Sequence, residues 1–296
     1  MAMLAWNVRG LGNKDTVRAL KNAAFKYKVD IIFLSETKQK KRYIEKIRMK
    51  MKFDNAFYVE PDGIAEDKRK FWETLVSFRN DVNAKWCVLG DFNVVVSPEE
   101  KYRGNPFDQN SAKWNYEFLD QTYLMEIPSS GGSFTWSNQR CNEESILEKL
   151  DRILSSLDWN FLFLKAISII DVAIASDHSP IILLVNGVAK KSEKEFKFES
   201  RWLIEEECSQ VVKDEWENKD NCPSRGTFRV KLRRTRVKLS KWNREKLGTN
   251  RSLAGETMQQ IKELQDVPLS PDEAAKLKDL KAKLLKTWES EEMYWH

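Results

Sequence analysis

Up to Gly187 the chain is built from short apolar runs rich in β-branched residues, most of which stop at a polar or acidic side chain: MLAWNV, VDIIFLSE, WCVLGDFN and, after the loop ASDHSP, the run PIILLV. Runs this short and this branched read as strands. Between the first of them lie TVRALKNAAFKY and the charged YIEKIRMKM, both with helical spacing, so the chain opens strand, helix, strand, helix. Further on, AFYVE reads as a strand and Ala65–Asn80 as a helix with Phe71, Leu75 and Phe78 on one face. Ala112–Tyr123 is a second such helix, FTWSN a strand, and LEKLDRILSS a strand or short helix.

Beyond Gly187 the branched runs stop and Lys/Glu-rich helical periodicity takes over, at Glu205–Trp216, Phe228–Leu247 and Asp272–Met293. The change places a domain boundary near Asn186–Lys194. It divides an α/β domain of residues 1–187 from a basic, mainly helical appendage of residues 188–296. A chain of 296 residues, 41% hydrophobic and 32% charged, has room for one domain of roughly 180 to 200 residues beside such an appendage. The net charge is +5, with 26 Lys and Arg against 25 Asp and Glu up to Gly187 and 24 against 20 beyond it, so the excess lies mostly in the tail. In the last helix Leu277, Leu280, Leu284 and Trp288 form one narrow apolar stripe that needs a partner surface. The stop at Tyr294, Trp295 and His296, with no cap or turn signal, is expected of a piece of something longer.

No run of eighteen apolar residues occurs, and MAMLAWNVRG carries neither a basic n-region nor a cleavage site. The expectation is a soluble, intracellular protein without a membrane partner. Cys87, Cys141, Cys208 and Cys222 lie far apart and the only histidines are His178 and His296, which argues against a zinc site or a disulfide framework.

Four strings place a polar group at the end of an apolar run: AWN (Asn7), FLSET (Glu36), LGDFN (Asp91, Asn93) and ASDHSP (Asp177, His178). Strand ends and their loops are where a rigid scaffold aims functional groups, although each string taken singly is also an ordinary turn. Together and in order they resemble the endonuclease/exonuclease/phosphatase family, whose pattern is an Asn in WN, a Glu in an ETK-like motif, G-D-x-N and a terminal S-D-H. LDRIL at Leu150–Leu154 is a fifth matching signature, and the resemblance runs from Met1 to about Val185. Within it WNVRGLGN, the GG-x-FTW-x-N string at Gly131–Asn138 and LDRIL look like the plant LINE (non-LTR retrotransposon) branch.

The resemblance implies a two-layer β-sandwich flanked by helices (α/β/β/α), followed by a helical tail. It implies Mg²⁺-dependent hydrolysis of a phosphodiester, with Mn²⁺ as the alternative ion, and DNA as the partner. Glu36 would be the metal ligand, with Asn7 beside it and Asp177 near the metal. Asp91 would orient or deprotonate the attacking water, Asn93 would fix that water and the phosphate, and His178 would donate a hydrogen bond to the phosphate with its tautomer held by Asp151. Where repair members of the family carry an acidic residue two positions after the WN asparagine, this chain has Arg9. That favours the transposon branch, and Arg9 is either a nucleic-acid contact or a solvated loop residue.

One departure stands out. Glu36 and Asp91 are 55 residues apart, and the family carries several further strands between them, including a phosphate contact. A join across a deletion between about Pro61 and Ala65 would leave one sheet incomplete. Each lost large core side chain forfeits roughly 1.5 to 3 kcal/mol of burial, against a usual net stability of about 5 to 15 kcal/mol. Such a copy is expected to cleave weakly or not at all. The alternatives are an abasic-site endonuclease or phosphatase of the same fold, and a non-catalytic nucleic-acid-binding remnant.

From Arg225 to Arg251 eleven Lys or Arg stand against one Glu. Arg233, Arg234, Arg236 and Lys238, with Trp242 to stack on bases, are the candidate contacts for DNA or for the element's RNA. The competing reading is a solvated helix face with Trp242 packed underneath. In the family this region resembles the connector to a reverse transcriptase, and a nuclear site of action follows from the implied function.

Overall fold

The computed structural model describes residues 1–59, 73–77, 85–187, 198, 202–203, 205–217 and 227–293. They form two compact units, Met1–Lys190 with Ile261–Lys281, and Lys191–Gln260 with Ala282–His296.

In the first unit, five strands make one sheet in the order β2-β1-β11-β10-β6, where β1 is Ala2–Asn7, β2 Ile31–Ser35, β6 Ser129–Ser130, β10 Ile167–Ile170 and β11 Ile181–Leu184. β1 pairs with β2 in parallel and with β11 antiparallel. A second sheet has the order β3-β9-β5, with β3 Cys87–Asp91, β5 Leu124–Glu126 and β9 Asp151–Ser156, all antiparallel. Ala5, Ile181 and Leu183 from the first sheet and Ile153 from the second share one buried cluster, with Leu89 against it. These two sheets are the two layers of a sandwich.

Helices cover both outer faces. β1 and β11 are buried on both sides, as strands lined with helices must be, and the helix α1 (Lys14–Tyr27) buries Ala19, Leu20, Ala23 and Tyr27. α1 begins at Asn13, whose side chain accepts from the backbone N–H of Asp15. Helix α2 spans Lys41–Lys50. Over the second sheet, Phe118 and Leu119 of helix α3 (Gln109–Thr122) join Phe92, Val94, Leu124 and Leu154, with Leu75 and Val76 of the helical residues 73–77 packed alongside. The α/β/β/α expectation describes this unit.

Some sequence expectations need correction. The string AFYVE makes no strand: residues 56–59 are irregular, with Phe57 and Val59 exposed and Tyr58 tied instead to Glu45 of α2 by a 2.7 Å hydrogen bond. β-propensity without a partner strand does not make a strand. FTWSN contributes only β7 (Trp136–Ser137), paired with β8 (Leu147–Glu148), which also pairs with β4 (Lys101–Tyr102) in a small third sheet. The LDRIL region is a strand, β9. Of the expected helix Ala65–Asn80, Phe71, Phe78 and the join near Pro61–Ala65 lie outside the described residues. A short helix α4 (Leu157–Leu162) follows β9, capped by Ser156, whose hydroxyl accepts from Trp159 N–H.

The tail is helical: α5 (Glu206–Glu217), α6 (Thr227–Gln265) and α7 (Pro271–Met293). α6 runs through Gly248 and Gly255 to 39 residues, well past the expected end at Leu247. Two glycines, at about 1 kcal/mol each, do not outweigh the strong helix formers around them. α7 starts from a capping box, in which Ser270 Oγ accepts from Glu273 N–H and Ser270 N–H donates back to Glu273 Oε2 at 2.9 Å, with Pro271 at the first helical position. On its stripe Leu277 and Leu280 are half-buried, whereas Leu284 and Trp288 are buried. No helix among the described residues is long and apolar enough to cross a membrane.

Candidate active site

Parallel pairing of β1 with β2 sets Asn7 opposite Ser35, so Glu36 emerges beside Asn7 at the same end of the first sheet. In the second sheet the antiparallel register puts Asp91, the last residue of β3, directly opposite Asp151, the first of β9. The loop ahead of β11 brings Asp177 and His178 to that same rim. Gly90 lets β3 pass close to the first sheet, since its φ is +147° and a Cβ there would meet the Phe33 ring at 3.4 Å.

Asn7, buried, joins the two sheets. Its Nδ2 donates to Glu36 Oε1 and to Asp91 Oδ2, both at 3.0 Å, and its Oδ1 accepts from Arg9 N–H at 3.2 Å. The bond at Oδ1 fixes which way the amide points, so Asn7 orients the two carboxylates. His178 Nδ1 lies 3.0 Å from Asp151 Oδ2, and its Nε2 is 3.8 Å from Asp91 Oδ2. Asn93 is exposed at the rim and its N–H donates to Asp91 Oδ1 at 2.8 Å. Thus Asn7, Glu36, Asp91, Asn93, Asp151, Asp177 and His178 come together.

Arg9 sits between two acids. Its guanidinium pairs with Asp177 and its Nε is 3.9 Å from Glu36, while Lys38 Nζ is 3.5 Å from the same carboxylate. Arg9, Glu36, Lys38 and Asn93 all hold left-handed backbones, with φ of 43°, 48°, 50° and 52°. Non-glycine residues take that region at a cost of order 1–3 kcal/mol each, and clusters of them mark sites held by surrounding structure.

The electrostatics follow from these contacts. The Asn7 amide, aided by the charges of Lys38 and Arg9, holds the Glu36 carboxyl below the usual carboxylate range against a smaller effect of burial. At His178 burial disfavours the imidazolium, but the hydrogen bond and charge of Asp151, with Asp91 and Asp177 adding, carry the ring above its ordinary value. Burial pushes the Asp151 carboxyl up, against the His178 hydrogen bond. The Nδ1–Oδ2 hydrogen bond occupies one ring nitrogen, and Nε2 faces Asp91.

One cluster among the described residues could hold a metal. Asp91, Asp151 and His178 each bring a ligand atom within 4.8 Å of the others, and the Nδ1–Oδ2 contact between His178 and Asp151 leaves His178 Nε2 on the side of Asp91. A hard divalent cation prefers oxygen, and the nearby carboxylates of Glu36 and Asp177 are bridged by Arg9, with Lys38 also on Glu36. Glu36 and Asp177 are already paired with these cationic side chains, so Asp91, Asp151 and His178 are the cluster of described residues that could hold a metal.

Four residues that sequence reasoning left unassigned support the rim. Thr135 Oγ1 accepts the backbone N–H groups of Leu150 and Asp151, each at 2.9 Å. Trp136 Nε1 donates to Asp177 Oδ2 at 3.0 Å, Trp6 Nε1 to His178 O at 2.8 Å, and Ser176 Oγ to Asn7 O at 2.9 Å. The FTW and ASDHSP strings were the available signal.

Within the second unit, Arg233, Arg234, Arg236 and Lys238 are exposed on α6, with Lys238 Nζ 3.7 Å from Glu215. Trp242 corrects the stacking expectation: it is half-buried, packs edge-on to Trp202 at 5.9 Å and donates its indole N–H to Glu207. It lies against the cluster of Trp202, Cys208 and Leu239, so burial of an aromatic ring outweighs its exposure to solvent.

No curated protein matches the sequence. The profile of the Endonuclease/Exonuclease/phosphatase family matches residues 4–178, a span that holds every rim residue and more than half of the chain, and the chain belongs to that family, whose members are in general metal-dependent phosphodiester hydrolases.

Proposed function

We propose that this chain is the DNA-nicking endonuclease of a plant LINE retrotransposon, attenuated in this copy, that cuts one strand and leaves a 3′-hydroxyl to prime reverse transcription. The observation that carries the reading is the Asn7 amide bridging Glu36 and Asp91 across the two sheets, with the Asp151–His178 pair beside them. The branch rests on WNVRGLGN, GG-x-FTW-x-N and LDRIL.

In this reading Asp91 takes a proton from water as the water oxygen bonds to phosphorus, and Asn93 holds the water and the phosphate. His178, kept protonated by Asp151, donates from Nε2 to a phosphate oxygen as charge builds there. The P–O3′ bond breaks, and the 3′ oxygen takes a proton from solvent to leave as the 3′-hydroxyl. Glu36 would hold Mg²⁺ or Mn²⁺ with Asn7 and Asp177 near it, and the ion would supply Lewis-acid stabilisation of the phosphate oxygens. Arg9 and Lys38 would meet the DNA backbone, and the exposed arginines of α6 would add contacts to DNA or the element's RNA in the nucleus. In this reading the attenuation would come from loss of the family's phosphate contact between Glu36 and Asp91, since misplacing a reacting group by about 1 Å costs on the order of a hundredfold in rate.

The test is nicking of supercoiled plasmid by the purified chain with Mg²⁺. Slow nicking with 3′-hydroxyl ends, abolished by His178→Ala, is expected. Cleavage confined to abasic sites or to phosphomonoesters would transfer the chain to another branch. DNA binding without any cleavage would make it a remnant.

A further inference from the structure

Within the first unit, the end of α6 and the turn after it dock on two loops through backbone hydrogen bonds. Gln265 grips the Ala173 backbone at both its polar groups: Oε1 accepts from Ala173 N–H at 3.1 Å and Nε2 donates to Ala173 O at 2.6 Å. Asp266 Oδ1 accepts from Ser133 N–H at 2.6 Å and Phe134 N–H at 3.2 Å. Leu269 O accepts from Asn142 N–H at 2.8 Å. Two glycines lie against the segment. A Cβ at Gly131 (φ +106°) would lie 3.1 Å from Lys262 Nζ and 2.5 Å from Ile170 O, and one at Gly132 would lie 3.4 Å from Asp266 Oδ1.

Both loops run directly into the reacting rim. Immediately after Phe134, Thr135 holds the start of β9, and its carbonyl accepts from Ser179 N–H at 2.7 Å. Trp136 then reaches Asp177, whose carbonyl accepts from Ser137 N–H at 3.1 Å. On the other loop, three residues after Ala173, Ser176 Oγ donates to Asn7 O and accepts from His178 N–H at 3.2 Å. The two loops therefore hold Asp151 and His178 from either side.

We infer that Gln265 and Asp266 are positioning residues of the phosphodiesterase site: they brace residues 131–137 and 171–178 from behind and so keep Asp151 and His178 in register. The part of the chain the site needs then includes residues 261–281, far beyond the last rim residue in sequence. Neither side chain touches the reacting groups. Each acts through a loop. The inference rests on the proposed function only where activity is read.

The experiment uses the full chain, comparing wild type with Gln265→Ala, Asp266→Ala and Asp266→Asn, the last of which keeps an acceptor oxygen. Amide hydrogen exchange and plasmid nicking are both measured. Each alanine variant should speed exchange roughly tenfold in one loop, residues 171–178 for Gln265 and 131–137 for Asp266, as expected for the loss of about one to two net hydrogen bonds. β1 and β3 should be unaffected, kcat should fall with KM unchanged, and Asp266→Asn should restore most of both. Unchanged exchange in the two loops, or a uniform rise across the unit, overturns the inference. If the wild type does not nick, the functional reading fails while the exchange result still decides this one. Should the variants fail to fold, the wild type itself decides: Ser133, Phe134 and Ala173 amides must exchange as slowly as β9, and rapid exchange there overturns the brace.

Discussion

The rim of the first unit and the helices of the second use polar residues in opposite ways. At the rim Asn7, Asp151, Arg152 and His178 are each under 5% exposed, and each is hydrogen-bonded to another part of the chain. Along α6, Arg233, Arg234 and Arg236 point to solvent, and the core beneath is the small apolar cluster of Trp202, Cys208 and Leu239. A buried polar group without a partner costs several kcal/mol, so each rim residue is specified by its neighbours. An exposed arginine is specified far less by its neighbours. The difference teaches where a substitution should matter, and the following experiments test it.

The largest contrast is in rate. Asp151→Ala removes the carboxylate that holds the His178 tautomer, and single-turnover nicking with Mg²⁺ should fall by about 10² to 10⁴-fold. Arg233→Ala should change the same rate by less than about twofold at low salt. Equal losses would break the comparison.

Stability should divide in the same way. Arg152, beside the dyad in β9, donates to Glu100, to Glu126 and to the carbonyls of Val94 and Lys149. Arg152→Ala leaves two largely buried carboxylates to Lys149 and, at Glu100, the Val96 N–H, and should lose about 3 kcal/mol, the low end of the range for breaking a buried ion pair because those partners remain. Arg233→Ala should stay within about 0.5 kcal/mol. Urea unfolding midpoints give both.

The dyad also predicts a pH dependence. Because the native His178 value is raised above its ordinary 6.5, the native state binds this proton more tightly than the unfolded chain. Its stabilisation is complete below about pH 6.5 and is lost as pH rises through the raised native value. Asp151→Asn removes the charge behind the shift, so the loss should move down towards pH 6.5. Imidazole NMR on a His296→Ala background, which leaves one histidine, reads the shift directly, and an unmoved titration would refute the pairing.

The smallest effect on the fold belongs to the tail. Replacing Arg233, Arg234 and Arg236 together by Ser should leave the unfolding midpoint in place and reduce the slope of log affinity for DNA against log salt by about two to three. An unchanged slope would show that this face does not meet phosphates.

Much of this protein is readable from local pattern. Strand runs that end at Asn7, Glu36 and Asp91, and the polar loop that carries His178 into β11, announce themselves because abrupt polarity is a property of neighbouring residues, and the α1, α3 and α5 helices are found within a few residues for the same reason. AFYVE misleads because a strand needs a partner that its own residues do not encode. The length of α6 was missed because two glycines look like breaks and are only small penalties.

Residue order was enough to set the strand ends and therefore which polar groups stand at one rim, since the chain direction through each strand places its last residue. Contacts made across the fold set the rest. Nothing in the string ELQDVPLS says that Gln265 and Asp266 meet Ala173 and the glycine loop, and nothing in FTW says that Thr135 holds the backbone of Asp151. Such hydrogen bonds join residues up to 133 positions apart, and their partners are chosen by the geometry of the packed sheets. Local propensity carries no record of that choice.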